Sequence, residues 1–564
     1  RQFERIADGE FDERELHAIR EGLLVEDALE WEDNRARALA IGHAFVAQDG
    51  WPGHLAHLER LRKLDKAAVM RVAAELFGPE RLVLRSRVGF PKKQRLEKPH
   101  TPAVTPRRGA HSKFYAGMQN QPSPAARIEL VDVARDVDDA VVAPGTALHA
   151  NANPFNDIVT LELRYAIGTD ELRELDVLDD YLGRIGSTKT ERTRFRRELS
   201  RISTTLEAEA EHDRFTVRLQ GPQQHLPRAL ALLGELMRAP DLARKPLRQV
   251  RREIWGYRRI GRKDAKNVAD ALRERVLWGE NSRYLREIGP KRARTIGVGR
   301  IGEAWAQLLA HRVELRYVGN EPATKIAAAV AAALPLPGIK APAEPWRVYP
   351  RSLPRETTVY FVPRRDAVQT QLWLAVDGEP VPPEHEAAAD AFSEYFGGSM
   401  AGLVFQEIRE FRALAYSAGA TYKRDEHPEQ RGYLIGHVGC QADKTFEALD
   451  VMLGLITKMP ARSERLELVR PALVRSQETA SPPFRELQAT IERWQHSGHA
   501  TDPRRELLGE YAELELADIE RFYREHVAGR PLAIMVVGDP RKVKPAQLRK
   551  YGKLVRVREG SLYS

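Results

Sequence analysis

Tyr395-Phe396-Gly397-Gly398-Ser399-Met400-Ala401-Gly402-Leu403-Val404-Phe405-Gln406-Glu407-Ile408-Arg409-Glu410-Phe411-Arg412-Ala413-Leu414-Ala415-Tyr416-Ser417-Ala418-Gly419-Ala420 is the stretch of this chain whose reading decides the fold. Gly397-Gly398 permits a sharp backbone turn. Met400, Leu403, Val404, Ile408 and Phe411 then recur at helical spacing, which predicts a helix after the turn. Beyond Arg412 the period changes to two, with Leu414, Tyr416, Ala418, Ala420 and Tyr422 on one side, so Tyr416 is expected on a strand leaving that helix. Arg409 departs from the apolar face near the helix C-terminus, where the turn can bring Tyr416 beside it. A guanidinium and a phenol directed at one point make a donor pair for a carbonyl oxygen or a developing oxyanion. The plainer reading of the same residues is an Arg that serves the helix dipole and a strand Tyr that packs half-buried.

Outward from this stretch, the surrounding runs alternate between strand and helix. Val359-Tyr360-Phe361-Val362, Gln371 to Val376 and Tyr433 to Val438 are short apolar runs with β-branched and aromatic content, hence strands, and Glu384 to Phe396 has helical spacing. The unit closes with an amphipathic helix from Leu516 and the strand Ile534-Met535-Val536-Val537-Gly538. The same ending, helix, turn, apolar strand and Gly, occurs from Ile301 to Gly319 and from Leu64 to Gly89. Gly89, Gly319 and Gly538 follow one another at intervals of 230 and 219 residues. The first copy is therefore expected to lack about 140 residues on its N-terminal side, with Arg1 at a processing site, a proteolytic cut or an artificial boundary.

Two Pro-rich stretches fall between the copies. The expected organisation is 1–90, the C-terminal part of a truncated module; 91–125, a semi-extended linker; 126–334, a full module; 335–354, a second linker; and 355–564, a final module. The fold class is α+β, with repeated modules of helices packed on a mixed β-sheet.

Composition excludes several classes. At 564 residues the chain is long enough for three or four domains of about 100–200 residues each. The longest purely apolar run, Ile326 to Leu334, is half what a membrane span requires. A single cysteine, Cys440, excludes an internal disulfide and any Cys-rich zinc site. The +9 balance of 89 basic and 80 acidic residues comes from interspersed Arg, and no compact basic cluster points to nucleic acid. Gly297-Val298-Gly299 lacks a phosphate-loop continuation, His54/His57 and His496/His499 read as surface polar pairs, and Glu207 to Asp213 reads as an acidic helix with a solvated face. The cysteine count leaves the compartment open; a periplasmic or secreted setting is favoured over a cytoplasmic one.

Gly397-Gly398, Leu403 and Phe405, Arg409-Glu410 and Leu414-Ala415-Tyr416-Ser417 together resemble the C-terminal signature of the M16 metallopeptidases, the pitrilysin, insulinase and mitochondrial processing peptidase family. Ala413 stands where that family commonly has Gly. The repeated modules, the long tether and the closing Val537-Gly538-Asp539 fit the same resemblance. It implies that this chain is the non-zinc half of a clamshell and that Arg409 and Tyr416 hold the substrate backbone. Gly397 and Gly398 are expected beside them as substrate-binding residues.

The family's zinc lies on a His-x-x-Glu-His helix, because two His one turn apart share a face and the Glu can activate metal-bound water. None of the 16 histidines falls in that pattern. The aligned helix, Leu175 to Leu182 ahead of Gly186, carries Val177, Asp180 and Tyr181 at the ligand, base and ligand positions. No metal site is therefore expected in this chain. Zinc in the complete enzyme would sit on a zinc-bearing N-terminal half or partner subunit, with a peptide as substrate and this chain inactive alone. The alternative is a non-proteolytic binding or scaffold subunit of the same fold, as in the core proteins of respiratory complexes.

Overall fold

The computed structural model describes residues 2–47, 50–77, 82–86, 89, 112–119, 121, 128–336, 349–425 and 427–564. Two six-stranded mixed sheets organise the larger part of the chain. The first contains β1 (Asp138–Ala143), β2 (Thr146–Asn151), β3 (Ile158–Tyr165), β4 (Thr205–Ala210), β5 (Phe215–Pro222) and β6 (Val313–Val318), in spatial order β1-β2-β6-β3-β5-β4. The second contains β7 (Thr358–Pro363), β8 (Gln369–Pro380), β9 (Ala415–Lys423), β10 (Arg431–Gln441), β11 (Leu532–Gly538) and β12 (Lys553–Arg556), in order β12-β7-β11-β8-β10-β9.

Five strands of one sheet repeat five of the other in order and sense. In both, a parallel pair (β2/β6, β7/β11) joins an antiparallel run that ends at an edge strand, β4 or β9. Only the far edge differs, since β1 runs antiparallel to β2 while β12 runs parallel to β7. The late strands β6 and β11 insert centrally, between β2 and β3 and between β7 and β8. All seven residues of β11 are buried, which suits a strand covered by helices on one side and by another layer on the other.

The other layer comes from across the joint. The Ala265–Trp278 helix, which follows the first sheet's strands in sequence, buries Val268, Ala269, Leu272 and Val276 against Ala375, Ile435, Ala533 and Met535 of the second sheet. In return the Leu487–His496 helix lies on the first sheet, where Gln488 donates to Asn151 Oδ1 at 2.8 Å and to the Tyr317 carbonyl at 3.2 Å. Its Glu492 accepts from Arg316 at 2.7 Å and from Arg164 at 3.0 Å. The two modules are thus interleaved, each covering the outer face of its neighbour's sheet.

Residues 2–76 form five helices, Gln2–Ala7, Glu13–Glu30, Asn34–Val46, Gly50–Arg62 and Lys66–Leu76, with Asp12, Asp33 and Asp65 as side-chain N-caps. Among their described residues only Leu16, Ala18, Ala44 and Ala73 are buried. The closing strand expected at Leu82-Val83-Leu84 is not formed, and Leu82 and Leu84 are 85% and 86% exposed. A strand needs a neighbour to satisfy its backbone, and no described strand lies beside this one. Of the expected 91–125 linker, the helix Lys113–Gln119 and residues 112 and 121 are described and the rest lies outside the described residues, as does 337–348 of the second linker.

Glu207 to Asp213 is a strand and hairpin, not a helix. Leu206, Ala208 and Ala210 alternate with Thr205, Glu207 and Glu209, a period of two that outweighs the helix propensity of Glu and Ala once β5 is available for pairing. No helix is long and apolar enough to cross a membrane, among the described residues.

Candidate functional site

The Glu386–Ser393 helix does not end at Gly397-Gly398 but widens into a π-helical turn, Glu394–Gly398. A second π-helical turn, Gln406–Glu410, follows one short α turn, Leu403–Phe405. Inserted π turns store strain and cluster at functional sites. The continuous helix expected from Met400 to Phe411 is therefore broken up. Leu403, Val404 and Ile408 are fully buried, but Met400 and Phe411 are 71% and 63% exposed.

Close approach explains the glycines. A Cβ on Gly397 would stand 2.7 Å from the backbone nitrogen of Ala420, and one on Gly402 would stand 2.6 Å from the Cα of Gly397. The double turn is thereby pressed onto the backbone of β9. Gly397 is buried in that packing, while Gly398 is exposed beside it.

Arg409 and Tyr416 meet, as the sequence suggested. The guanidinium carbon lies 5.2 Å from the centre of the Tyr416 ring and 4.7 Å from that of Phe405, a cation held over two aromatic faces. Its remaining ionic contact is Nε to Glu410 Oε1 at 3.5 Å. Tyr416 is 82% exposed, although Leu414, Ala420 and Tyr422 of the same expected face are buried. The cause is a β-bulge. Gly439 and Cys440 are consecutive on β10 but pair with Ser417 and Ala415, leaving Tyr416 as the extra residue. A bulge re-aims the side chain it carries, here out of the core and toward the guanidinium.

Behind the pair, Glu407 is buried and accepts from Arg412 and, at 2.8 Å, from Arg462. Burial pushes its carboxyl up, and the two guanidinium groups outweigh burial and hold it below the usual range. Ala413, the link between Arg409 and the strand, has a φ of 49°, in the left-handed region that disfavours side chains. The other described non-glycine residue with positive φ is Ser203, at 47°, in the corresponding link between the Arg192–Arg201 helix and β4. Counting from these two residues sets Leu199 and Leu206 at the places of Arg409 and Tyr416, so the donor pair exists in the second module alone.

The helix aligned with the family's zinc helix does not fit a metal. Val177 and Tyr181 are fully buried in the first core, and the Tyr181 hydroxyl donates to the Ala243 carbonyl at 3.0 Å. Apolar packing has filled the positions that two imidazoles would need. Among the described residues no group of three or more His, Cys, Asp or Glu is placed to hold a metal ion.

One polar cluster escaped the sequence reading. His499 is not a surface residue. Its Nε2 lies 2.7 Å from Glu386 Oε2 with both side chains nearly buried, and Arg424 joins Glu386 to Asp390. The spacing of Glu386 and Asp390 one turn apart was a signal, but their cation comes from β9's end and their imidazole from a segment over a hundred residues away.

Residues 308–461, which contain the whole Arg409 and Tyr416 segment, match the family model described as the peptidase M16 inactive domain. The chain carries an M16 peptidase domain. Its fold agrees with solved M16 structures. The peptidase M16 inactive domain from Pseudomonas fluorescens superposes with a TM-score of 0.57 at 16% identity, covering 72% of this chain and 98% of that one. The periplasmic protease PqqL from Escherichia coli gives 0.57 at 12% identity over 85% of this chain and 52% of that one, and the first half of PqqL alone gives 0.53 at 13% over 72% and 92%. No curated protein matches by sequence. This chain thus spans about half the length of PqqL and matches the first half of PqqL by itself as well, a likeness of fold.

Proposed function

We propose that this chain is the non-zinc half of a two-part M16 endopeptidase, closing over a zinc-bearing half and holding the backbone of an enclosed peptide. The observation that carries the reading is the exposed, bulge-directed Tyr416 beside Arg409. Both groups point out of a rigid, doubly π-turned frame and are not consumed by internal hydrogen bonds among the described residues. They would donate to one substrate carbonyl oxygen, polarising it in the ground state and stabilising the oxyanion as the peptide bond is attacked. Zinc would be held outside this chain, because Val177 and Tyr181 leave no room for it here. The periplasmic setting of PqqL supports a periplasmic location for this chain as well.

Tyr416→Phe tests the assignment. With the zinc-bearing half present, turnover should fall by about 10² to 10³, the cost of one oxyanion donor, with the far-UV and thermal signatures of the fold unchanged. Activity within twofold of the parent would remove Tyr416 from the reaction. The scaffold reading is favoured by one observation, the apolar filling of the zinc positions. It requires that no metal-bearing partner co-purifies.

A further inference from the structure

The Arg244–Gly261 helix carries seven basic residues and a single carboxylate, Glu253. Along the sequence its cations are interspersed with Leu247, Val250 and Ile254, so they form no unbroken basic run. Coiling separates the two sets. At 3.6 residues per turn Leu247, Val250 and Ile254 share one face, which is buried in the core of the first module. Arg244, Lys245, Arg248, Arg252 and Arg259 share the opposite face with Trp255, and all six are exposed. The five cations make a stripe about 22 Å long, at about 1.5 Å per residue.

The stripe contains no carboxylate. Glu253 lies on one flank and is taken bidentately by Arg184 at 2.9 and 2.6 Å. Arg258, on the other flank, is held by Glu287 at 2.5 Å. Among the described residues Arg244, Lys245, Arg248 and Arg252 form no ion pair, and Arg259 stands over the Trp255 ring, 5.2 Å from its centre. Helix stability does not account for this arrangement. Arg244 and Lys245 occupy the first turn, where the macrodipole disfavours cations and neither an acidic residue nor a side-chain cap offsets them. Arg244, Arg248 and Arg252 follow one another a turn apart and repel. An anionic surface laid against this face removes both costs. Trp255 lies near one rim of the stripe and Ile260 near the other, 42% and 66% exposed. Indole and aliphatic side chains enter the boundary between lipid headgroups and acyl chains, whereas a nucleic-acid backbone offers Ile260 nothing apolar.

We propose that the outer face of the Arg244–Gly261 helix binds the surface of a membrane rich in anionic phospholipid. Arg248, Arg252 and Arg259 would meet the phosphate headgroups, with Trp255 and Ile260 entering the interface beside them. The association would be peripheral, since no helix among the described residues is long and apolar enough to cross a membrane. It does not rest on the peptidase reading and would hold equally for a scaffold subunit.

Flotation of the full chain with lipid vesicles tests this. Vesicles of phosphatidylglycerol and phosphatidylcholine in equal parts should carry the chain up the gradient, and added salt should release it. Vesicles of phosphatidylcholine alone should not bind it. Arg248→Gln with Arg252→Gln and Arg259→Gln should weaken binding at least tenfold, while the far-UV spectrum and Tm match those of the parent. Trp255→Ala should weaken binding severalfold and leave the salt dependence unchanged. Arg549→Gln with Lys550→Gln and Arg556→Gln removes three exposed cations elsewhere and should leave binding as it was. Equal losses in the two triple variants would mean that only net charge is read, and would overturn the proposal. So would failure of the parent to float with the mixed vesicles, equal binding to phosphatidylcholine alone, or tighter binding to duplex DNA than to the mixed vesicles at the same salt.

Discussion

Ala413 shows how much one residue type decides at this site. An alanine in the left-handed region carries a penalty of about 1–2 kcal/mol that glycine avoids, partly offset by glycine's greater freedom in the unfolded chain, about 0.5–1 kcal/mol. Ala413→Gly should therefore stabilise the fold slightly, by at most about 1 kcal/mol, read as a small rise in Tm. A fall in Tm would mean that the alanine methyl packs in a way its exposed position does not suggest. At this scale the sequence told much. Arg409 and Tyr416 were legible as neighbours from the change of period between them. The outward direction of Tyr416 was not, because alternation counts it with Leu414 and Ala420, and only pairing against β10 reveals the bulge.

Glu492 and Leu272 carry the interleaving of the modules, and both act across an element boundary. Glu492 is held by Arg164 and Arg316, whose side chains are only 10% and 9% exposed. Removing its charge leaves these two cations with Glu314 alone, 3.4 Å from each, and Glu492→Gln should cost about 1–3 kcal/mol by chemical denaturation, less than a fully buried pair because Glu492 is partly solvated. Burial pushes the Glu492 carboxyl up, but the flanking guanidinium groups outweigh it and leave it below the usual range. A depressed carboxylate contributes stability above the unfolded-state value, near about 4.3, and loses it as pH falls through the folded value. The gap between parent and Glu492→Gln should thus be constant from pH 7 to 5 and close below pH 4; a gap that widened on acidification would refute the ion-pair account. Leu272, fully buried, belongs in sequence to the first module but packs on the second sheet. Leu272→Ala should cost about 2–5 kcal/mol. Hydrogen exchange should rise first in β8 and β11, whereas a rise confined to β3 and β5 would contradict the exchange of helices. Helical spacing can mark a buried face on such a segment; it cannot tell which sheet that face meets, since apolar surface is complementary to any other apolar surface.

At the scale of the whole molecule, the N-terminal helices leave apolar side chains in water, with Phe45 and Val46 87% and 82% exposed. Patches of this kind mark surfaces that associate. The chain by itself should hydrolyse no peptide with or without added zinc, and native mass spectrometry of material from its source should find a companion carrying one metal. Hydrolysis by the isolated chain would place the chemistry elsewhere than proposed. By itself the sequence determined the α+β class and the adjacency of Arg409 and Tyr416, because periodicity, spacing and side-chain chemistry are local and survive in one dimension. The tertiary structure alone decided that Glu207 and Glu209 lie on a strand, that a bulge turns Tyr416 outward, that His499 packs against Glu386, and that each module roofs the other. Those outcomes depend on which backbone or apolar face lies opposite, and partners hundreds of residues apart leave no mark on either segment alone.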